Sequence, residues 1–209
     1  MKEFITIAER VQSEITEKKS KFIANLFYVE NSEEAEKIIK EIKRKYFDAR
    51  HNCSCYRILE NGSIIEKSSD DGEPSGTAGA PMLNILKNNN LCNILVIVTR
   101  YFGGILLGTG GLVRAYSNAT IEGLNNAEKL KMCLGMQFIV YVDYNKLENF
   151  KYYCNKNAIK ISDTKYVEYA ICNIELKNEF VSIFETDVEN KKIDILKYEK
   201  IGDKYIVIC

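Results

Sequence analysis

"NILVIVTRYFGGILLGTGGLVRAY", residues 93–116, is the stretch on which the fold turns. Its first seven residues are apolar on both faces, the pattern of a strand buried in the middle of a sheet. The glycine cluster GGILLGTGG follows, and then the helical segment LVRAYSNATIEGL. Strand, glycine loop and helix in that order bring backbone N–H groups to one point, where an anion can sit. Gly103 and Gly104 open the loop, and Gly108, Gly110 and Gly111 admit an anion with no Cβ in the way. Arg100 ends the strand and Arg114 stands in the first turn of the helix. Leu112, Ala115, Tyr116 and Ala119 form the core stripe, which leaves Arg114 and Asn118 on another face. These eight residues, Arg100, Gly103, Gly104, Gly108, Gly110, Gly111, Arg114 and Asn118, are the candidate anion- or nucleic-acid-binding set. The alternative is that the glycines serve a tight turn and close helix–sheet packing. GxGxxG fails at Val113 and no lysine follows the glycines, so neither a dinucleotide site nor a P-loop is expected.

Upstream lies "DDGEPSGTAGAPML", residues 70–83, with more special backbone than a plain connection needs. Asp70, Asp71 and Glu73 could hold a hard cation or work as acid and base. The ligand spacing of an EF-hand loop is absent. Ser75 and Thr77 lack the GxSxG elbow of an activated serine, and the chain holds one histidine to serve either. Capping of the following helix and turn formation are the expected duties of this surface loop. The lone histidine opens "HNCSC", residues 51–55. On a strand, alternate side chains stand about 6.6 Å apart, whereas donors to one zinc must lie within about 4 Å of each other. Zinc is therefore not expected, and neither is a cysteine–histidine dyad; Arg50 and His51 are read as a possible rim to the anion site. No metal and no cofactor are expected.

The totals exclude several classes. Lys+Arg and Asp+Glu each number 29 in 209 residues, and a cut after Lys131 leaves no strong basic excess on either side (18 basic against 17 acidic in residues 1–131, 11 against 12 after). A long electrostatic footprint on nucleic acid is not expected. No apolar run reaches the ~18 residues of a membrane span, and the first residues lack the apolar core of a signal peptide. A cytoplasmic chain is expected, with its seven scattered cysteines reduced.

Elsewhere the periodicity predicts a strand over KSKFIANLFYV, with Phe22, Ala24, Leu26 and Tyr28 on one face. A helix over NSEEAEKIIKEIKRKYF follows, capped by Asn31 or Ser32. CSCYRIL and SIIEKS form a hairpin turned by Asn61-Gly62, and PMLNILKN is a short helix. The pattern then restarts after the linker NNAEKLK, residues 125–131. Strand 133–143, helix 146–155, strands 158–162 and 165–176, a helix over 179–189 capped by Asn178 and a last hairpin make a βαββαβ-like order. Two domains are expected, 1–127 and 128–209.

Four segments, KKSKFIA (18–24), ARHNC (49–53), DDGEPSGTAGAP (70–81) and VTRYFGGILLGTGGLVRAY (98–116), together resemble the YigZ/IMPACT family. Ser54 and Cys55 depart from the residues that the family more often carries there. The resemblance covers roughly the first 125 residues, and the remainder is similar to the smaller domain of bacterial members by pattern alone. It implies an α+β chain of two domains. The first would have the left-handed βαβ fold of ribosomal proteins and elongation factor G domain IV, and the second a ferredoxin-like sandwich. It also links eukaryotic relatives to translational control, through an activator of the amino-acid-starvation kinase, and supplies no catalytic residues. The expected function is that of a non-enzymatic, translation-associated regulator in a stress response, binding RNA, the ribosome or a translation protein through the glycine loop. The alternative is a Mg-dependent enzyme acting on a phosphorylated small molecule through the acidic loop. A two-metal proline dipeptidase is rejected, because one histidine and one acid cluster are too few ligands.

Overall fold

The computed structural model describes residues 3–208, which form two compact α+β units, Glu3–Lys131 and 132–208. The first holds an antiparallel sheet in the order β2 (Val11–Glu17), β3 (Ser20–Tyr28), β6 (Ile94–Tyr101), β4 (His51–Glu60), β5 (Ser63–Ser69). Helix α1 (Ser32–Lys45) joins β3 to β4, so the crossover passes over the central strand β6. The N-cap is Asn31, whose Oδ1 accepts from the Glu34 N–H at 2.8 Å.

Strand β6 is buried from Ile94 to Arg100 because both faces are covered. Leu95 and Ile97 pack under α1 with Ala35, Ile42 and Ile58. Val96 and Val98 face the other way, beneath α2 (Gly79–Asn88) and α3 (Gly108–Asn125), in a core with Phe22, Ala24, Leu26, Met82 and Tyr116. Continuous apolarity in 93–99 is thus the record of a two-sided core. The glycine cluster is less of a loop than the sequence suggests. Its second half, Gly108–Gly111, is already the first turn of α3. The hairpin turn falls on Asn61 (φ 51°) and Gly62 (φ 77°) as expected.

Strand β1 (Glu3–Ile7) was hidden from sequence reading, as was β2; β1 exchanges backbone bonds with Asn90 and Cys92 through Ile5. In the second unit the elements run β7 (Lys129–Val142), α4 (Leu147–Lys156), β8 (Lys160–Tyr166), β9 (Ala170–Lys177), α5 (Asn178–Glu189) and β10 (Lys197–Ile208), with strand order β10-β7-β9-β8. Its core joins Phe138, Val140, Phe150, Cys172, Ile174 and Phe184.

Four local expectations are corrected here. The segment 125–131 is not wholly linker, since β7 starts at Lys129. The turn between β8 and β9 lies near Val167–Tyr169, where the Val167 N–H donates to the Tyr169 carbonyl, and not at Asp163-Thr164. The last hairpin is one strand, β10. Asn178 is the first helical residue of α5, preceded by an extended Lys177, and no side chain caps that helix.

Gly62 has open space where a Cβ would go, so its replacement tests backbone conformation alone. Gly62→Ala is expected to lower the unfolding free energy by about 1 kcal/mol, read as a lower urea midpoint with an unchanged slope.

Candidate functional site

The end of β6 is where the two glycine-containing loops meet. Register places Arg100 between Phe22 of β3 and His51 of β4. All three side chains therefore leave the sheet on the face that α2 and α3 cover. Arg100 is 7% exposed, and its Nη1 donates to Glu73 Oε1 at 2.7 Å. The same oxygen accepts from the Tyr116 hydroxyl of α3 at 2.9 Å, and His51 Nε2 stands 3.9 Å from it. The guanidinium carbon also lies 5.6 Å from the Phe22 ring centroid and 5.7 Å from that of Phe102, within the range of cation–π attraction. Arg100 Nε is buried without a partner.

Each carboxylate of the acidic loop is committed inside the unit. Asp70 works as a remote helix cap. One of its oxygens accepts from the N–H groups of Ala78 and Gly79 at 2.9 and 2.8 Å, and the other accepts from Gly76 at 2.8 Å. The first two donors stand at the start of α2, whose own N-cap residue, Ala78, has no hydrogen-bonding side chain to offer, and Gly76 belongs to the loop before it. Burial alone would raise the Asp70 pKa; the three N–H bonds outweigh it and hold the carboxyl below its ordinary value. Asp71 accepts from the Asn52 N–H at 2.7 Å and from the Lys43 ammonium, while its carbonyl meets His51 Nδ1 at 2.9 Å. The Thr77 hydroxyl donates to the Pro74 carbonyl at 2.6 Å, and Ser75 is exposed. Neither Ser75 nor Thr77 caps the helix, a duty that falls to Asp70. Cys53, buried below, donates from Sγ to the Asp70 carbonyl, and burial pushes its thiol up to about 12. Among the described residues no group of three or more His, Cys, Asp and Glu is placed to hold a metal ion.

The candidate anion set therefore divides. Arg100 is not a free guanidinium, because Glu73 and two rings enclose it. Gly103 offers no amide either: its N–H donates to Ser20 Oγ at 3.1 Å, and a Cβ there would lie 2.0 Å from the Lys19 carbonyl carbon. Gly111 packs on Leu107. What stays open is the start of α3. No side chain caps it and no acid stands in its first turn. Gly108 enters it at φ 71°, and the Arg114 guanidinium reaches back toward Gly110. Arg114 and Asn118 are exposed, as is Arg50 on the approach to β4. From Phe102 to Leu106 the chain turns at Gly104 and presents apolar side chains to water: Phe102 51%, Ile105 42% and Leu106 82% exposed. Sequence reasoning placed Tyr116 in the core stripe and missed its hydroxyl. A buried tyrosine needs a partner for that group, and this need was the available signal for Glu73.

A family model described as the Impact N-terminal domain matches residues 18–124. The IMPACT family member YvyE of Bacillus subtilis (strain 168) is 39% identical over 199 residues, covering 94% of this chain and 91% of its own length. A protein IMPACT homolog of Dictyostelium discoideum is 42% identical over 124 residues, 57% of this chain and 35% of that protein. A solved structure described as the crystal structure of an hypothetical protein covers 97% of this chain and 98% of its own at 28% identity, with a TM-score of 0.64.

Removing the Glu73 carboxylate would leave Arg100 buried and unpaired. Glu73→Ala is expected to cost about 3–5 kcal/mol of unfolding free energy, and the apolar pair Glu73→Leu/Arg100→Met to recover most of that loss, as measured by urea unfolding. For Asp70, the folded pKa lies below the unfolded one. Its contribution is present above pH ~4 and is lost as pH falls through the folded value. The stability gap between wild type and Asp70→Asn should therefore close on acidification, followed by unfolding at stepped pH.

Proposed function

The chain belongs to the IMPACT family, and from that premise we propose that it is a translation-associated regulator that acts by binding a partner protein of the translation apparatus. Family kinship supports the setting, since the motifs that carry the resemblance tie eukaryotic relatives to translational control. The contact surface in this reading is the edge formed by residues 102–118. The observation that carries it is the exposed apolar sequence Phe102, Ile105 and Leu106, mounted on anchored backbone. Isolated apolar residues on a surface are ordinary. Three of them within five positions, on a connection fastened at Gly103 and Arg100, form a contiguous exposed apolar patch, the kind of surface that marks a protein contact. Beside them the open start of α3, with Gly108, Gly110, Arg114 and Asn118, offers N–H groups and a guanidinium to a carboxylate or phosphate of the partner. Arg50 and His51 extend the rim.

RNA or the ribosome as the direct partner is a second reading, favoured by Arg114 and the uncapped helix start. The neutral total charge and the commitment of Arg100 to Glu73 weigh toward protein. The finer fold assignments belong to the same proposal: a left-handed crossover in the first unit and a ferredoxin-like sandwich in the second, the latter supported by the strand order β10-β7-β9-β8. The magnesium-dependent enzyme is not carried forward, because Asp70, Asp71 and Glu73 are each occupied by donors of the fold.

Crosslinked pull-down from cells with the wild type, Leu106→Asp and Arg114→Ala separates these readings. Leu106→Asp should abolish recovery of translation proteins, and Arg114→Ala should weaken it by up to about fivefold, the range of an exposed charged contact. RNase treatment should leave the wild-type recovery intact. Recovery that RNase removes assigns RNA, and recovery unchanged in Leu106→Asp sinks the surface.

A further inference from the structure

The second unit has no arginine, and its 11 lysines are outnumbered by 12 acids, yet four of those lysines gather at one cleft. The cleft, about 350 Å³, lies between one stripe of α4 and the 191–194 connection ahead of β10. Lys146 and Lys156 stand at the two ends of the α4 stripe, and Lys191 and Lys192 close the other side, with Phe150 at the buried floor. Two carboxylates answer the four ammonium groups. Asp194 pairs with Lys146 at 2.8 Å, and Asp187 pairs with Lys192 at 2.7 Å. Lys156 and Lys191 are exposed and have no ion pair among the described residues. The lining therefore keeps a net positive charge inside a unit that has none overall.

Two tyrosines complete it. Tyr153 is fixed in the wall, its hydroxyl donating to Asp187 Oδ2 at 2.9 Å. Tyr152, on the rim, is 70% exposed, so its ring is open to a stacking partner. Attraction to helix dipoles explains single lysines near helix C-termini, Lys156 on α4 and Lys191 and Lys192 after α5. Lys146, at the N-cap position of α4 where the dipole disfavours a cation, is instead held by Asp194.

We propose that this cleft binds a nucleotide, its phosphate held among Lys156, Lys191 and Lys192 and its base stacked on Tyr152. A volume of this size suits one such unit. Lysines give point charge without the planar fork that reads base edges, so recognition is of phosphate and ring, with little sequence preference. The nucleotide arrives either free or as one unit of single-stranded RNA. The site is in the other unit from the 102–118 edge and stands whether or not that edge binds protein.

The test is fluorescence anisotropy of the full chain with a labelled oligouridylate, competed by unlabelled oligomer, by UMP and AMP, and by inorganic phosphate. Lys156→Glu/Lys191→Glu should weaken binding about tenfold or more and reduce the salt slope by about 0.7, the one single-strand phosphate contact these lysines share. Tyr152→Ala should weaken it about fivefold or more with the slope unchanged. Lys200→Glu, an exposed lysine outside the cleft, is the control and should stay within about twofold, as for a distant surface charge. Competition by UMP and AMP assigns free nucleotide as the source, and displacement by the oligomer alone assigns RNA. Failure of the wild type to bind either probe overturns the proposal. Wild-type binding by the correctly folded double reversal also overturns it.

Discussion

One carboxylate holds the first unit's loops in place. Glu73 descends from the 70–79 loop onto Arg100 at the end of β6, and the Tyr116 hydroxyl of α3 closes on the same oxygen. Three elements far apart in sequence are thereby tied at one atom. A buried ion pair is weak evidence for net stability, since desolvation offsets much of the attraction. Its leverage is geometric. With Arg100 fixed, Phe102 packs on the guanidinium and Gly103 lies against the Lys19-Ser20 backbone, so the apolar tip that follows is presented in one arrangement.

The same economy explains the acidic loop. Three acids within four residues look like a cation site or catalytic machinery when read as letters. In the fold, Asp70 replaces the missing cap of α2, Asp71 ties β4 and α1 to the loop, and Glu73 neutralises Arg100. Buried donors would otherwise be unpaired, and that cost is reason enough for each acid.

Much of the fold was legible because it rests on local periodicity. β6 announced itself by continuous apolarity, α1 by its stripe and its Asn31 cap, and the hairpin by Asn61-Gly62. β1 was not, since its backbone partners Asn90 and Cys92 lie far along the chain; nor was β2, whose hairpin with β3 turns on Lys18-Lys19, a pair without the composition of a turn. The β8–β9 turn was misplaced because Asp163-Thr164 has the composition of a turn, while the true bend at Val167–Tyr169 does not. The candidate site was half legible. Gly108, Gly110, Arg114 and Asn118 all fall on α3, with Arg114 and Asn118 exposed. Arg100 and Gly103 were drawn off by partners that only tertiary register reveals, and the glycines that looked like a loop form the opening turn of a helix.

The central claim is that Glu73, through Arg100, fixes both the loop before α2 and the tip after β6. Native-state amide exchange on Glu73→Gln tests it most directly. Protection should fall together at Ala78, Gly79 and Gly103, while the amides of the second unit keep theirs. Ala78 and Gly103 amides that exchange as slowly as in the wild type would contradict it.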